Sequence, residues 1–230
     1  MQTSLPKIVI QAHAPLISDD FISFFDELDN HEITHQFEQK EPGMYASLEW
    51  LIPTGIALYI TKSYFDGLFK EIGKDHYQWI KKSFSNIYCK ALGSEPEFEY
   101  KIFSAGKQKM PVYFSGNLSI VYSTQSGSKI KLLFPLDITH DDYTNSCEQF
   151  FRLLESYETG MLDNSLSAEI EIQIAQKMQL LPSEFAFKQK VTPSISILIY
   201  WDQNHETFYI ADPIVSSKTK TLVSRKLGVL

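Results

Sequence analysis

The stretch SDDFISFFDELDNHEITHQFE, residues 18–38, changes its period partway along, and the point of change decides the fold class and the fate of the chain's one catalytic word. Phe21, Phe24, Phe25 and Leu28 recur at i, i+3, i+4 and i+7, so they share one face of a helix that Ser18 caps and Asp29-Asn30 ends. From Glu32 onward, Ile33, His35 and Phe37 alternate with Thr34, Gln36 and Glu38, the two-residue period of a strand. Ile33 and Phe37 fall off the stripe of the preceding helix, so the two segments cannot form one continuous amphipathic helix. Just upstream, Lys7 to Ala12 alternates with Ile8 and Ile10 on one side. The order is therefore strand, covering helix, strand.

His31-Glu32-Ile33-Thr34-His35 falls across this change. On a helix the His-Glu-x-x-His string puts two imidazoles about 6 Å apart along the axis, where they can share zinc while Glu32 acts as base on the bound water. On a strand the same histidines lie about 13 Å apart and cannot hold one ion. The alternation favours the strand. A separate helix started by Asn30 would need a third ligand, for which Glu71 is the candidate. With Asp75 four residues on, Glu71 resembles the Glu-x-x-x-Asp helix of gluzincin metallopeptidases, which implies Glu71 as ligand and Asp75 as a residue orienting a ligating histidine. By helical count Glu71 and Asp75 lie about 100° from the apolar stripe, toward solvent.

Leu51 to Ile60 is a mostly apolar run of strand length. Ser63 then opens a long helical region with Phe65, Leu68, Phe69, Ile72, His76, Trp79 and Ile80 on one face, divided at Gly73 and continuing to about Leu92. Phe98–Phe103, Pro111–Phe114, Leu118–Ser123 and Lys129–Phe134 read as an antiparallel meander separated by glycine-rich turns. A helix from about Asp141 carries Tyr143, Cys147, Phe150, Phe151 and Leu154 on one side and stops at Gly160. Leu166, Ile170, Ile174 and Met178 continue at helical spacing, after which Phe185–Val191, Ile195–Trp201 and Thr207–Ile210 read as strands. The last fifteen residues carry Lys218, Lys220, Arg225 and Lys226 with no acid, the pattern of a mobile basic tail.

These periods define an α+β protein: an antiparallel or mixed sheet covered by amphipathic helices over residues 1–160, and a smaller helix-plus-hairpin unit over 161–230 packed on it or continuous with it. Asp163-Asn164-Ser165 marks the break. At 230 residues the chain is long enough to bury a core without disulfides. A formal charge of −7, with no basic run interleaved with aromatics, argues against a nucleic-acid partner. The most apolar stretch, Trp50–Ile60, contains Pro53 and Gly55 and is too short to cross a bilayer, so no membrane partner is expected. Cys89 and Cys147, far apart and outside any Cys-x-x-Cys pair, read as buried thiols, and Met1–Lys7 lacks a secretory pattern. A cytoplasmic location follows as the expectation.

Other candidate sites carry bland readings beside the sharp ones. His76 could carry a proton from an apolar helix face, or be a hydrogen-bonded core histidine. His140-Asp141 resembles the dipeptide of metal-dependent phosphohydrolases, but it follows a strand and caps a helix. No Walker A, dinucleotide or nucleophile-elbow motif is present. Between the last two strands, the polar tip Asp202–Glu206 is framed by Tyr200, Trp201 and Tyr209, with His205 inside it, a mixture enriched at protein interfaces. The expectation is a non-catalytic protein-binding or accessory module without a cofactor. The alternative is a zinc peptidase or hydrolase using His31, His35 and Glu71 as ligands and Glu32 as base.

Overall fold

Isoleucine and leucine at every second position of five strands build the floor of the molecule: Ile8, Ile10, Ile56, Leu58, Ile60, Leu118, Ile120, Ile130, Leu132 and Ile199 are fully buried. The computed structural model describes residues 6–13, 15–40, 54–68, 74–96, 113–124, 127–160, 165–179 and 195–228. In chain order these give β1 (Ile8–His13), a 3-10 turn (Ser18–Phe21), α1 (Ile22–Asn30), β2 (His35–Lys40), β3 (Ile56–Thr61), α2 (Lys62–Leu68) and α3 (Lys74–Ala91). There follow β4 (Phe114–Ser123), β5 (Lys129–Pro135), α4 (His140–Thr159), α5 (Ser165–Gln179), β6 (Ser196–Asp202), β7 (Thr207–Ala211), α6 (Pro213–Thr219) and β8 (Ser224–Lys226). The fold is α+β, with one eight-stranded mixed sheet in the order β2-β1-β3-β4-β5-β6-β7-β8.

Three parallel pairs, β1 with β2, β3 with β4 and β5 with β6, are each joined through helical segments, and neighbouring pairs meet antiparallel. A parallel pair cannot be closed by a tight turn, so each forces a crossover, and the helices supply it. Those helices stand in a row on one sheet face, α3 packing on α1 and α4, and α4 on α5. Phe24 of α1 meets Phe84 of α3 edge-on at 6.0 Å, and Tyr143 of α4 lies 4.9 Å from Phe134 of β5. The apolar stripe of α4 is buried as its spacing predicts, through Tyr143, Cys147, Phe150, Phe151 and Leu154. Thr139 caps it by accepting from the Asp142 amide, and Gly160 ends it at φ 64°, a left-handed conformation that costs glycine little. Burial pushes the Cys147 thiol far up, so this sulfur is core and not a nucleophile.

The sheet runs without interruption past the expected break at 163–165, since β6 pairs in register with β5. Several expectations are corrected. Cys89 is exposed on α3, because the stripe of that helix passes through Phe84 and Ile87 instead. The basic C-terminus is not a loose tail: Asp212 caps α6 through the Val215 amide, Pro213 occupies its first turn, and β8 pairs with β7. The hairpin β4–β5 is antiparallel as expected, while 98–103 and 185–191 lie outside the described residues. Among the described residues no helix is long and apolar enough to cross a membrane.

Candidate functional site

The turn that carries the zinc string is built around Ile33. Helix α1 stops at Asn30, Glu32 takes a left-handed φ of 53°, and the Ile33 amide returns to the Leu28 carbonyl at 2.9 Å, which drops a 5% exposed isoleucine under the helix end. The strand therefore starts at His35 and not at Glu32, because Ile33 is spent on plugging the helix. His31 caps the helix and is exposed, as is Glu32. The His35 ring stacks on Phe25 at 4.6 Å, and its Nδ1 lies 3.5 Å from Asp29. Residues 31–35 thus form no helical turn, the geometry the shared ion requires. Glu71 lies outside the described residues, and so do the side-chain contacts of His76, whose backbone sits in the first turn of α3. Among the described residues no group of three or more His, Cys, Asp or Glu is placed to hold a metal ion.

The hairpin β6–β7 is a different case. Its strands alternate so that Ile197, Ile199, Phe208 and Ile210 face the helix layer, and Leu198, Tyr200, Tyr209 and Ala211 face the other way. Trp201 goes with the first set: it packs edge-on to Phe208 at 4.9 Å and donates its Nε1–H to Gln203. Tyr200 and Tyr209 go with the second, stacked at 5.7 Å and 20°. Tyr200 also lies 5.2 Å from Phe114, and His205 meets Tyr209 edge-on at 6.0 Å. The result is a row of four rings, Phe114–Tyr200–Tyr209–His205, running from a buried end to an exposed one. Of the four residues the sequence singles out, three belong to this row and Trp201 does not.

The tip at the open end of the row is held from two sides. Asp202 accepts from the Asn204 and His205 amides at 2.9 and 3.0 Å, and its carboxylate lies 3.2 Å from His205 Nδ1. These bonds hold the Asp202 carboxyl below its usual range against the opposing effect of burial. Gln203 reaches back to α4, donating to the Asp142 carbonyl at 3.0 Å and accepting from Asn145 at 2.7 Å. At the inner end, Tyr200 Oη pairs with Ser224 of β8 at 2.9 Å, and Tyr113 donates to the Lys220 carbonyl after α6. Burial raises the Tyr200 phenol, which stays protonated at neutral pH. Phe114 and Gln203 escape a reading of the sequence. Phe114 is 86 residues from Tyr200 and reaches it only through sheet order, and Gln203 looks like any polar turn residue.

No family model, curated protein or solved structure matches the chain.

Proposed function

We propose that the chain is a non-catalytic intracellular protein-binding module whose contact surface is the open end of the aromatic row, His205, Tyr209 and Tyr200, with Asp202 beside it. The observation that carries this reading is the prior ordering of the tip. Asp202 fixes the turn backbone, Gln203 ties it to α4, and stacking fixes the tyrosine rings. A surface whose side chains are already immobilised avoids about 0.5–1.5 kcal/mol of ordering cost per side chain on association. Tyrosines so placed give large contact area for little entropy. The exposed free thiol of Cys89 fits a reducing compartment, and the net charge of −7 favours a partner of opposite sign.

The test is affinity capture from the native host with wild-type protein and with Tyr209→Ala, followed by calorimetry on the purified pair. Tyr209→Ala is expected to weaken binding at least about tenfold, the cost of one truncated interface anchor. Retention of the partner with unchanged affinity by a Tyr200→Ala/Tyr209→Ala double variant overturns the assignment of this surface.

A further inference from the structure

The two edges of the sheet differ, and only one of them is blunted. β8 has three residues, of which Arg225 and Lys226 are basic, and a short charged strand is one way in which an edge avoids pairing. β2 reads His-Gln-Phe-Glu-Gln-Lys, runs in unbroken register along β1, and carries no proline, no bulge and only a terminal lysine. The Ile8 amide bonds the Thr34 carbonyl at 3.2 Å, which sets the phase of the parallel ladder. Gln36, Glu38 and Lys40 therefore turn their backbone toward β1, and His35, Phe37 and Gln39 turn theirs outward. Among the described residues no strand takes up those outward groups. An apolar rim stands over the same edge. Phe37 lies 5.6 Å from Phe21 and 6.5 Å from Phe25, the His35 ring stacks on Phe25, and Asp29 is 3.5 Å from His35. Ile22, one turn before Phe25 and two before Asp29, shares this flank of α1 and is 53% exposed, while Glu27 on the other flank is bonded to Lys82 of α3.

We propose that β2 is a dimerisation edge and that its occupant is the β2 strand of a second copy of this chain, antiparallel and centred on Phe37. A two-fold axis normal to the sheet keeps its faces, so Phe37 meets its own counterpart, His35 meets Gln39 and Gln36 meets Glu38. The three outward residues all fall at hydrogen-bonded positions of the new pair, and the open backbone groups of each copy are satisfied by the other. On the helix side, Phe37 and Ile22 of the two copies close over the joint. On the far side, the exposed Gln36 amide, which already lies 3.2 Å from its own Glu38, donates to Glu38 of the second copy, twice by symmetry. Moving the centre to Glu38 sets two carboxylates against each other, and moving it to Gln39 runs Phe37 past the end of β2, so charge and apolar contact select the same register. That self-match favours a second copy over a foreign strand. The joint lies at the far edge of the sheet from the hairpin β6–β7 and is independent of the contact surface proposed there.

Sedimentation equilibrium on the full chain, from low to high micromolar concentration, decides the matter. Wild type is expected to reach the mass of two chains. Gln36→Glu, at an exposed position, sets like charges across the joint at two places and is expected to weaken dimerisation at least about tenfold at low salt, and less as salt rises. Gln36→Lys is expected to hold or tighten the dimer. Gln39→Pro removes an outward amide without touching the ladder to β1, at the loss of a side-chain bond to the Leu16 carbonyl, and is expected to give monomer. If that variant fails to fold, the two Gln36 variants decide. Tyr200→Ala/Tyr209→Ala is expected to remain dimeric, which separates this joint from the contact surface on the hairpin. Monomeric wild type across the whole range overturns the proposal, and so does a dimer indifferent to both Gln36→Glu and Gln39→Pro. Equal behaviour of Gln36→Glu and Gln36→Lys overturns the register.

Discussion

Replacing Lys131 by methionine should change how stability depends on pH, and the size of the change follows from where the amine sits. The side chain titrates at 10.5 in the unfolded chain and at about 7 in the fold. Between those values the unfolded chain holds a proton that the folded chain has released, so wild-type stability rises with pH across the window and is lowest below about 7. The two values are about 3.5 pH units apart, which at about 1.36 kcal/mol each gives roughly 5 kcal/mol over the whole window. Roughly 2 kcal/mol of that is recovered between about pH 7 and about pH 9. The other shifted groups leave this interval clear. His13 is lowered from 6.5 by burial and has finished titrating below it, whereas the raised Cys147 thiol costs stability only as pH climbs past its ordinary value of 9.0. Methionine keeps the length of the stem between Val121 and Leu198 and carries no charge. Urea unfolding at three pH values across the interval measures the effect. Wild type should gain about 1 M in midpoint for a slope near 2 kcal/mol/M, and Lys131→Met should stay flat. Parallel profiles for the two proteins would refute the placement of a poorly solvated amine in this sheet.

Three further outcomes are expected. Arg225 joins β8 to α5 through Glu169, which is 2% exposed and 2.5 Å away, so Arg225→Met should cost about 2–3 kcal/mol by leaving a buried carboxylate with Gln173 for support, while Glu169→Gln should cost less. Gln203→Ala removes the acceptor of the Trp201 indole and the link to α4, so it should cost about 1–2 kcal/mol and shift the tryptophan emission, with weaker partner binding in proportion. Because residues 31–35 turn instead of coiling, thermal midpoints in chelator and in excess zinc should agree within about 1 °C, and His31→Ala should not alter them; stoichiometric zinc lost in that variant would restore the peptidase reading.

Long periodic segments were legible from their residues alone. The stripe of α4 and the alternation of β1 survive intact because each element buries one face and nothing competes for its apolar positions. At residues 31–35 the alternation was real but local competition won: Ile33 serves the end of α1 and not β2, and no period shows which neighbour will take a side chain. The last segment was misread for a different reason. A seven-residue helix and a three-residue strand are too short to carry a period, although the Asp212-Pro213 cap was there to be read. Charge without acid looked like a tail, yet Arg225 is matched by a buried Glu169 that lies 56 residues earlier in the chain.

The same contrast explains why the tyrosine row could be found in part and Lys131 not at all. Aromatics flanking a polar turn announce themselves, and only their sorting between faces needs the structure, which sends Trp201 one way and Tyr209 the other. A lysine alternating with apolar residues announces solvent. That inference holds for a sheet with one wet face, but β5 pairs parallel with β6 and antiparallel with β4, in the interior of an eight-stranded sheet. In this sheet both faces of β5 are buried, and the adjacent pair Leu132-Leu133, one buried on each side, is the trace of it in the sequence. Once Leu133 requires a dry second face, Lys131 must lie on that dry face too. A chain that keeps an amine there bears a desolvation cost that is largest below about pH 7 and falls as pH rises through the neutral range.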